Sequence, residues 1–156
     1  MSAPTEVHEG SDVLSAYGSA LADAAAAAHT GPREQLGQHL VRTFVRHYED
    51  PQLSPKLLGL FQSAMSGGEG AEALRQFMTT QLFAQVGQSL GMGPMNSLEE
   101  AAAELKVPPI HLNAAAAQVW GVVMLRYILR IEPMASASED EIVDLLAPTI
   151  QRYLVG

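Results

Sequence analysis

The chain contains no cysteine, which removes disulfides, thiolate metal sites and a cysteine nucleophile together. Cations are scarce and scattered. Lys and Arg number 9 against 17 Asp and Glu, giving a formal net charge of −8, and no basic run occurs. Holding a phosphate backbone requires clustered cations. Nucleic-acid binding by this chain alone is therefore not expected, and anionic membrane surfaces are disfavoured for the same reason. The opening stretch MSAPTEVHEGSD lacks the cationic start and apolar segment of an export signal. A cytoplasmic location is the expectation. Charged residues make up only 17 % and apolar residues 47 %. That balance argues against disorder and leaves more apolar surface than a small monomer tolerates well.

Catalytic and metal-binding patterns are missing as well. There is no H-E-x-x-H, no histidine pair at ligand spacing, no G-x-S-x-G, no P-loop and no dinucleotide glycine motif. The acidic pairs Glu99-Glu100 and Glu139-Asp140-Glu141 stand at helix starts, where capping and the helix dipole account for them. The residues call for no cofactor, no metal and no enzymatic activity.

What is present is helical pattern. The most apolar stretch, LNAAAAQVWGVVMLRYILRI from Leu112 to Ile131, carries few polar residues. A helix so apolar must be buried on more than one side. One seam runs through Ala114, Ala117, Gly121, Met124, Ile128 and Ile131 in steps of three and four, the spacing of a helix–helix contact. A second face, Ala116, Trp120, Val123 and Tyr127, points elsewhere. The helix is thus expected to touch its own domain with one face and something else with the other. A membrane span needs about 20 unbroken apolar residues, and Gln118 and Arg126 break the run too early.

The remaining chain reads as one domain, 11–156, behind a polar leader, 1–10. Ser11 to about His29 is expected to be helical, and Pro32 opens an amphipathic helix that ends at Asp50-Pro51. Ser54 and Pro55 supply the cap and first position of a third helix, which Ser66-Gly67-Gly68 closes. A fourth runs from about Ala71 to Leu90, and GMGPMN is a loop. Ser97 with Glu100 forms a capping box for a short helix ended by Pro108-Pro109; Ser138 with Glu141 forms another for the last helix, which Pro148 should bend. No sustained alternation occurs, so the fold class is all-α, with about six or seven helices.

An aromatic and methionine set comes from four of these helices: Phe44, Tyr48, Phe61, Met65, Phe77, Met78, Trp120, Met124 and Tyr127. Such a set is either plain core or the lining of an adaptable apolar cavity. Among five histidines, only His47 lies near an apolar face.

Several segments taken together carry a resemblance: PREQLGQHLVRTFVRHYEDP, PKLLGLFQSAMS, EALRQFM, QVWGVVMLRYILRIEPMASAS and IVDLLAPTIQRYL. They resemble the C-terminal ligand-binding and dimerisation domain of TetR-family transcriptional repressors. The junction LRYILRIEPMASAS and the ending LAPTIQRYL are the strongest parts. The resemblance implies a helical bundle whose last two long helices form a homodimer and whose middle helices enclose a small apolar effector. On that reading the pocket takes Phe44, His47, Phe61, Met65, Phe77, Met78, Trp120 and Met124, with His47 or Gln81 as polar anchor. The dimer seam takes Ala117, Gly121, Met124, Ile128, Ile142, Leu146, Ile150 and Tyr153. Family members begin with a roughly fifty-residue helix-turn-helix module, whereas this chain starts at what resembles the helix after it. Either a piece of a longer repressor or a sensing half without its reading half is expected. The alternative function is an interaction protein that pairs with a full-length TetR-type regulator and alters its DNA binding.

Overall fold

The computed structural model describes residues 32–81 and 97–155. The leader, the Ser11–His29 helix, the GMGPMN loop and the later part of the expected fourth helix lie outside them. Six α-helices occur in the described residues, and no strand. They are α1 (Leu36–Glu49), α2 (Ser54–Met65), α3 (Glu69–Gln76), α4 (Leu98–Leu105), α5 (Pro109–Val123) and α6 (Glu139–Val155). A 3-10 turn, Arg33–Gln35, leads into α1, and another, Met134–Ser136, precedes α6. Two helices continue as π turns: α3 through Phe77–Gln81 and α5 through Met124–Ile128.

Local chemistry explains most boundaries. Asp50 ends α1, and its Oδ1 accepts from the backbone N–H groups of Gln52 and Leu53 at 2.8 and 3.0 Å. Those two bonds hold the Asp50 carboxyl below the usual range. They also replace the expected Ser54 cap: Leu53 occupies the cap position of α2 and no side chain caps it there. Gly67 and Gly68 both have positive φ, 82° and 70°, a conformation that turns the chain sharply between α2 and α3. Ser97 Oγ accepts from Glu100 N, as the capping box requires. The helix it opens stops before the prolines. Lys106 adopts the left-handed conformation, and Val107 N–H reaches Ala102 O while Lys106 N–H reaches Ala103 O, closing a Schellman turn. The second box is reciprocal, with Ser138 N bonded to Glu141 Oε2 and Glu141 N to Ser138 Oγ.

The apolar run from Leu112 starts its helix three residues earlier than its composition indicates. Pro109 occupies the first turn of α5, where a missing N–H costs nothing. The far end is earlier too. The π turn closes with Leu129 N–H on Met124 O, and Arg130 turns left-handed at φ 53°, two residues before Glu132-Pro133.

The main core joins α1 to α6, with help from α2 and α5. Val41, Phe44, Val45 and Tyr48 meet Leu57, Val122, Val123, Ile142, Val143, Leu146, Ile150 and Leu154. Helices α1 and α6 lie antiparallel. At one end Gly37 sits against Ala147 and Gln151, and at the other Arg42 and Arg46 reach Glu139, with Arg42 also on Asp140. A Cβ at Gly37 would come within 2.6 Å of Ala147 O and 2.8 Å of Gln151 N, so the backbones touch there. The Gln151 amide completes the junction. Its Oε1 accepts from Gly37 N at 2.7 Å, one of the N–H groups a helix start leaves open, and its Nε2 donates to Arg33 O.

Gly37→Ala should lower the urea-unfolding free energy by about 1–3 kcal/mol through overpacking. Gly59→Ala, where a Cβ meets nothing within 4 Å, should be neutral or gain up to about 1 kcal/mol by helix propensity. Equal effects at the two positions would show that the close approach is not what Gly37 serves.

Candidate functional site

Most of the buried apolar residues form the α1–α6 core. Four more are buried outside that cluster: Phe61 of α2, Phe77 at the start of the first π turn, and Ala101 and Ala102 of α4. Phe61 meets Trp120 of α5 edge to face, ring centroids 5.4 Å apart and planes at 75°. No polar or charged residue is buried among the described ones.

The expected pocket residues do not share one cluster. Phe44 is 1 % exposed in the main core and packs edge to face on Tyr48 at 5.1 Å. Phe61 and Trp120 touch, Phe77 is buried, and Met78 and Met124 are half-buried. Met65 is different. It is 60 % exposed at the end of α2, because the two glycines that follow turn the chain at the surface, so it is corrected from lining to surface. His47 is half-buried and its Nδ1 donates to Thr43 O one turn back at 2.7 Å. Gln81 is the last residue of the first π turn.

The expected dimer residues also divide. Ala117 and Gly121 are exposed on α5, and Met124 and Ile128 are half-exposed. Ile142, Leu146 and Ile150 are 0, 6 and 2 % exposed inside the subunit's own core, so they are not available to a partner. Tyr153 is half-buried, its backbone carbonyl accepts from His111 Nδ1 at 3.0 Å, and the two rings meet edge to face. The correction has a simple cause. A broad apolar face does not say which neighbour covers it, and α1 covers this one. The side of α6 left outside carries Glu141, Asp144, Leu145, Pro148 and Arg152, with Leu145 63 % exposed. On α5 and its π turn, Ala117, Gln118, Gly121, Leu125 and Leu129 are exposed in one helical strip.

A polar knot near the α5–α6 junction has no counterpart among the expected site residues. Arg126, whose side chain is only 10 % exposed, donates through Nε and Nη2 to Glu49 Oε1 at 3.2 and 2.9 Å. Its Nη1 donates to Met134 O and Ala137 O at 2.8 and 2.6 Å. Tyr127 donates its hydroxyl to the same Glu49 oxygen and stacks on Tyr48 at 5.4 Å. Burial works against the Arg126 charge, but the bonds to Glu49 and Tyr127 more than offset it, and its pKa lies above the usual arginine value. The helix dipole alone does not explain this arginine, which serves carbonyls beyond its own helix. Burial pushes the Tyr48 hydroxyl up to about 12 and raises Tyr127 as well. One sequence signal could have pointed here: a cation in the middle of the most apolar helix needs a partner.

A groove of about 280 Å3 lies between the start of α1 and α6, lined by Glu34, Gln38, Val143, Asp144, Ala147, Pro148 and Gln151. None of the expected pocket residues reaches it. Among the described residues no group of three or more His, Asp or Glu is placed to hold a metal. No helix of the described residues is long and apolar enough to cross a membrane.

The described residues thus form an all-helical domain with an apolar interior and exposed apolar residues on its last two helices. Compared with models of known families, residues 34–154 match the one described as Tetracyclin repressor-like, C-terminal domain. The chain belongs to that family, which is regulatory. Searches of curated proteins and of solved structures return no match.

Two measurements check the knot. Tyr48 in the folded chain keeps its proton to about pH 12, whereas an unfolded tyrosine loses it near 10. Its contribution to stability is therefore intact below about pH 10 and declines as pH rises toward 12. Absorbance at 295 nm should show late-ionising tyrosines, and Tyr48→Phe should remove one of them. Arg126→Met leaves Met134 O and Ala137 O without their donor and should cost about 2–4 kcal/mol in chemical unfolding. A loss below about 0.5 kcal/mol would mean that water replaces the guanidinium there.

Proposed function

We propose that the chain senses a small, uncharged apolar molecule and forms a homodimer, as the regulatory part of a TetR-type transcriptional regulator acting in the cytoplasm. The observation that carries this reading is the exposed strip of Ala117 and Gly121 on α5, Leu125 on its π turn and Leu129 just after it, together with Leu145 on α6. Exposed apolar residues gathered along one side of a helix are a common mark of an interaction site. These stand on the two C-terminal helices that the family resemblance assigns to dimerisation. The effector would lie against Phe61, Phe77, Met78, Trp120 and Met124, with Phe44, His47 and Gln81 toward its edges. An interior without buried charge favours a neutral guest, because an ion placed there would lose its hydration uncompensated. Binding would bias the dimer only so far as the guest prefers one arrangement over another.

Sedimentation of the purified chain should report a dimer. A Cβ at Gly121 meets nothing within 4 Å among the described residues. Gly121→Arg should therefore fold normally yet yield monomer, because the new side chain crowds only a partner. A dimer that survives this substitution would place the contact elsewhere. Trp120 is the single tryptophan of the chain, so its fluorescence reports on the proposed pocket alone. Neutral aromatic probes should quench or shift it saturably, and Trp120→Leu should reduce probe affinity about tenfold or more without changing the oligomeric state. Probes that leave the emission unchanged up to their solubility would remove the pocket from this position.

A further inference from the structure

The outer edge of α6 carries two opposite charges that the subunit leaves unused. Asp144 is exposed in the middle of the helix and, among the described residues, takes part in no hydrogen bond or ion pair. Its neighbours are all engaged: Glu139 and Asp140 hold Arg42, and Glu141 closes the capping box. Nor does the helix dipole account for it, since that effect fades after the first turn. Asp144 stands on one wall of the 280 Å3 groove, with Glu34 also lining it and Val143, Ala147 and Pro148 giving it an apolar floor. Glu34 too has no cation.

The chain's own supply of cations is short. All nine Lys and Arg lie between 33 and 152, and none falls in 1–31 or 82–96. Arg42, Arg46, Arg75 and Arg126 already hold carboxylates, and Arg33 holds Leu105 O. Lys56, Lys106, Arg130 and Arg152 remain. Arg152 shares the exposed side of α6 with Asp144 and Leu145, yet eight residues along one helix put about 12 Å between their backbones. Within a subunit the two do not meet.

Between two copies they can. In an isologous contact, a residue at some distance on one side of the two-fold axis meets the residue at the same distance on the other side. Asp144 stands four residues before Pro148 and Arg152 four residues after it. We propose that α6 crosses the α6 of a second copy antiparallel about a two-fold axis near Pro148, so that Arg152 of each subunit enters the partner's groove beside Asp144. Two reciprocal ion pairs then flank the 63 %-exposed Leu145, which the contact covers. Arginine suits the role, since its planar fork can engage Asp144 and Glu34 together. The inference rests on the homodimer proposed above and assigns the charges that fix its register.

Sedimentation equilibrium of the full chain and its variants separates the outcomes. Asp144→Arg and Arg152→Asp each set like charges against one another twice per dimer, and each should weaken dimerisation at least about 30-fold. The swapped double variant, Asp144→Arg with Arg152→Asp, should return to within about threefold of the wild type, a rescue that a merely structural role would not give. Asp144→Asn removes charge without reversing it and should weaken the dimer about five- to tenfold, the loss shrinking in 1 M salt. Melts recorded at concentrations low enough to hold every variant monomeric should change little, because among the described residues neither side chain has a partner inside the subunit. A wild-type dimer with unaffected single variants, or a double variant no better than the worse single one, would overturn the register while leaving the dimer standing. A wild type that stays monomeric at high concentration would overturn the dimer and the register together.

Discussion

The backbone contact between α1 and α6 is the constraint to which the rest of the molecule conforms. Gly37 lets the two helices touch, and the Gln151 amide ties the start of α1 to the end of α6. Arg42 and Arg46 tie the opposite ends through Glu139. With both ends held, the strip Ile142, Leu146 and Ile150 has only one place to go, against Val41, Phe44 and Val45. The consequence reaches beyond packing. Because α1 takes that side of α6, the opposite side is left facing outward, with Asp144, Leu145, Pro148 and Arg152 on it.

A second organising point is the guanidinium of Arg126. It bridges the end of α1, the π turn that ends α5, and the backbone leading into α6. Four donor–acceptor bonds converge there, and both backbone carbonyls lie in a segment with no regular helix of its own to satisfy them. The same π turn presents Leu125 and Leu129 outward. The tie through Glu49 therefore couples the helix bearing Phe44 and His47 to the orientation of the exposed strip. In a sensor of the proposed kind, that is a short physical route between pocket and interface.

The interior itself is chemically plain. Buried residues are apolar throughout the described chain, and the polar knots sit at helix ends, where open backbone groups need partners. The proposed reading, an uncharged guest held by shape beside a surface held by charge, starts from that division.

Much of this was legible in the sequence. Helical class followed from the three-and-four spacing of apolar residues and from two capping boxes, whose Ser97 and Ser138 act as their side chains require. Helix stops at Asp50 and Gly67-Gly68 followed likewise from local backbone preference. The site was only half legible. Ala117 and Gly121 are exposed, whereas Ile142, Leu146 and Ile150 belong to the subunit's own core, and Met65 lies at the surface. Periodicity records that a face is apolar; it carries no record of what will cover it. That assignment, like the pairing of Arg126 with Glu49 across 77 positions, depends on which helices approach one another, and only the tertiary structure decides it.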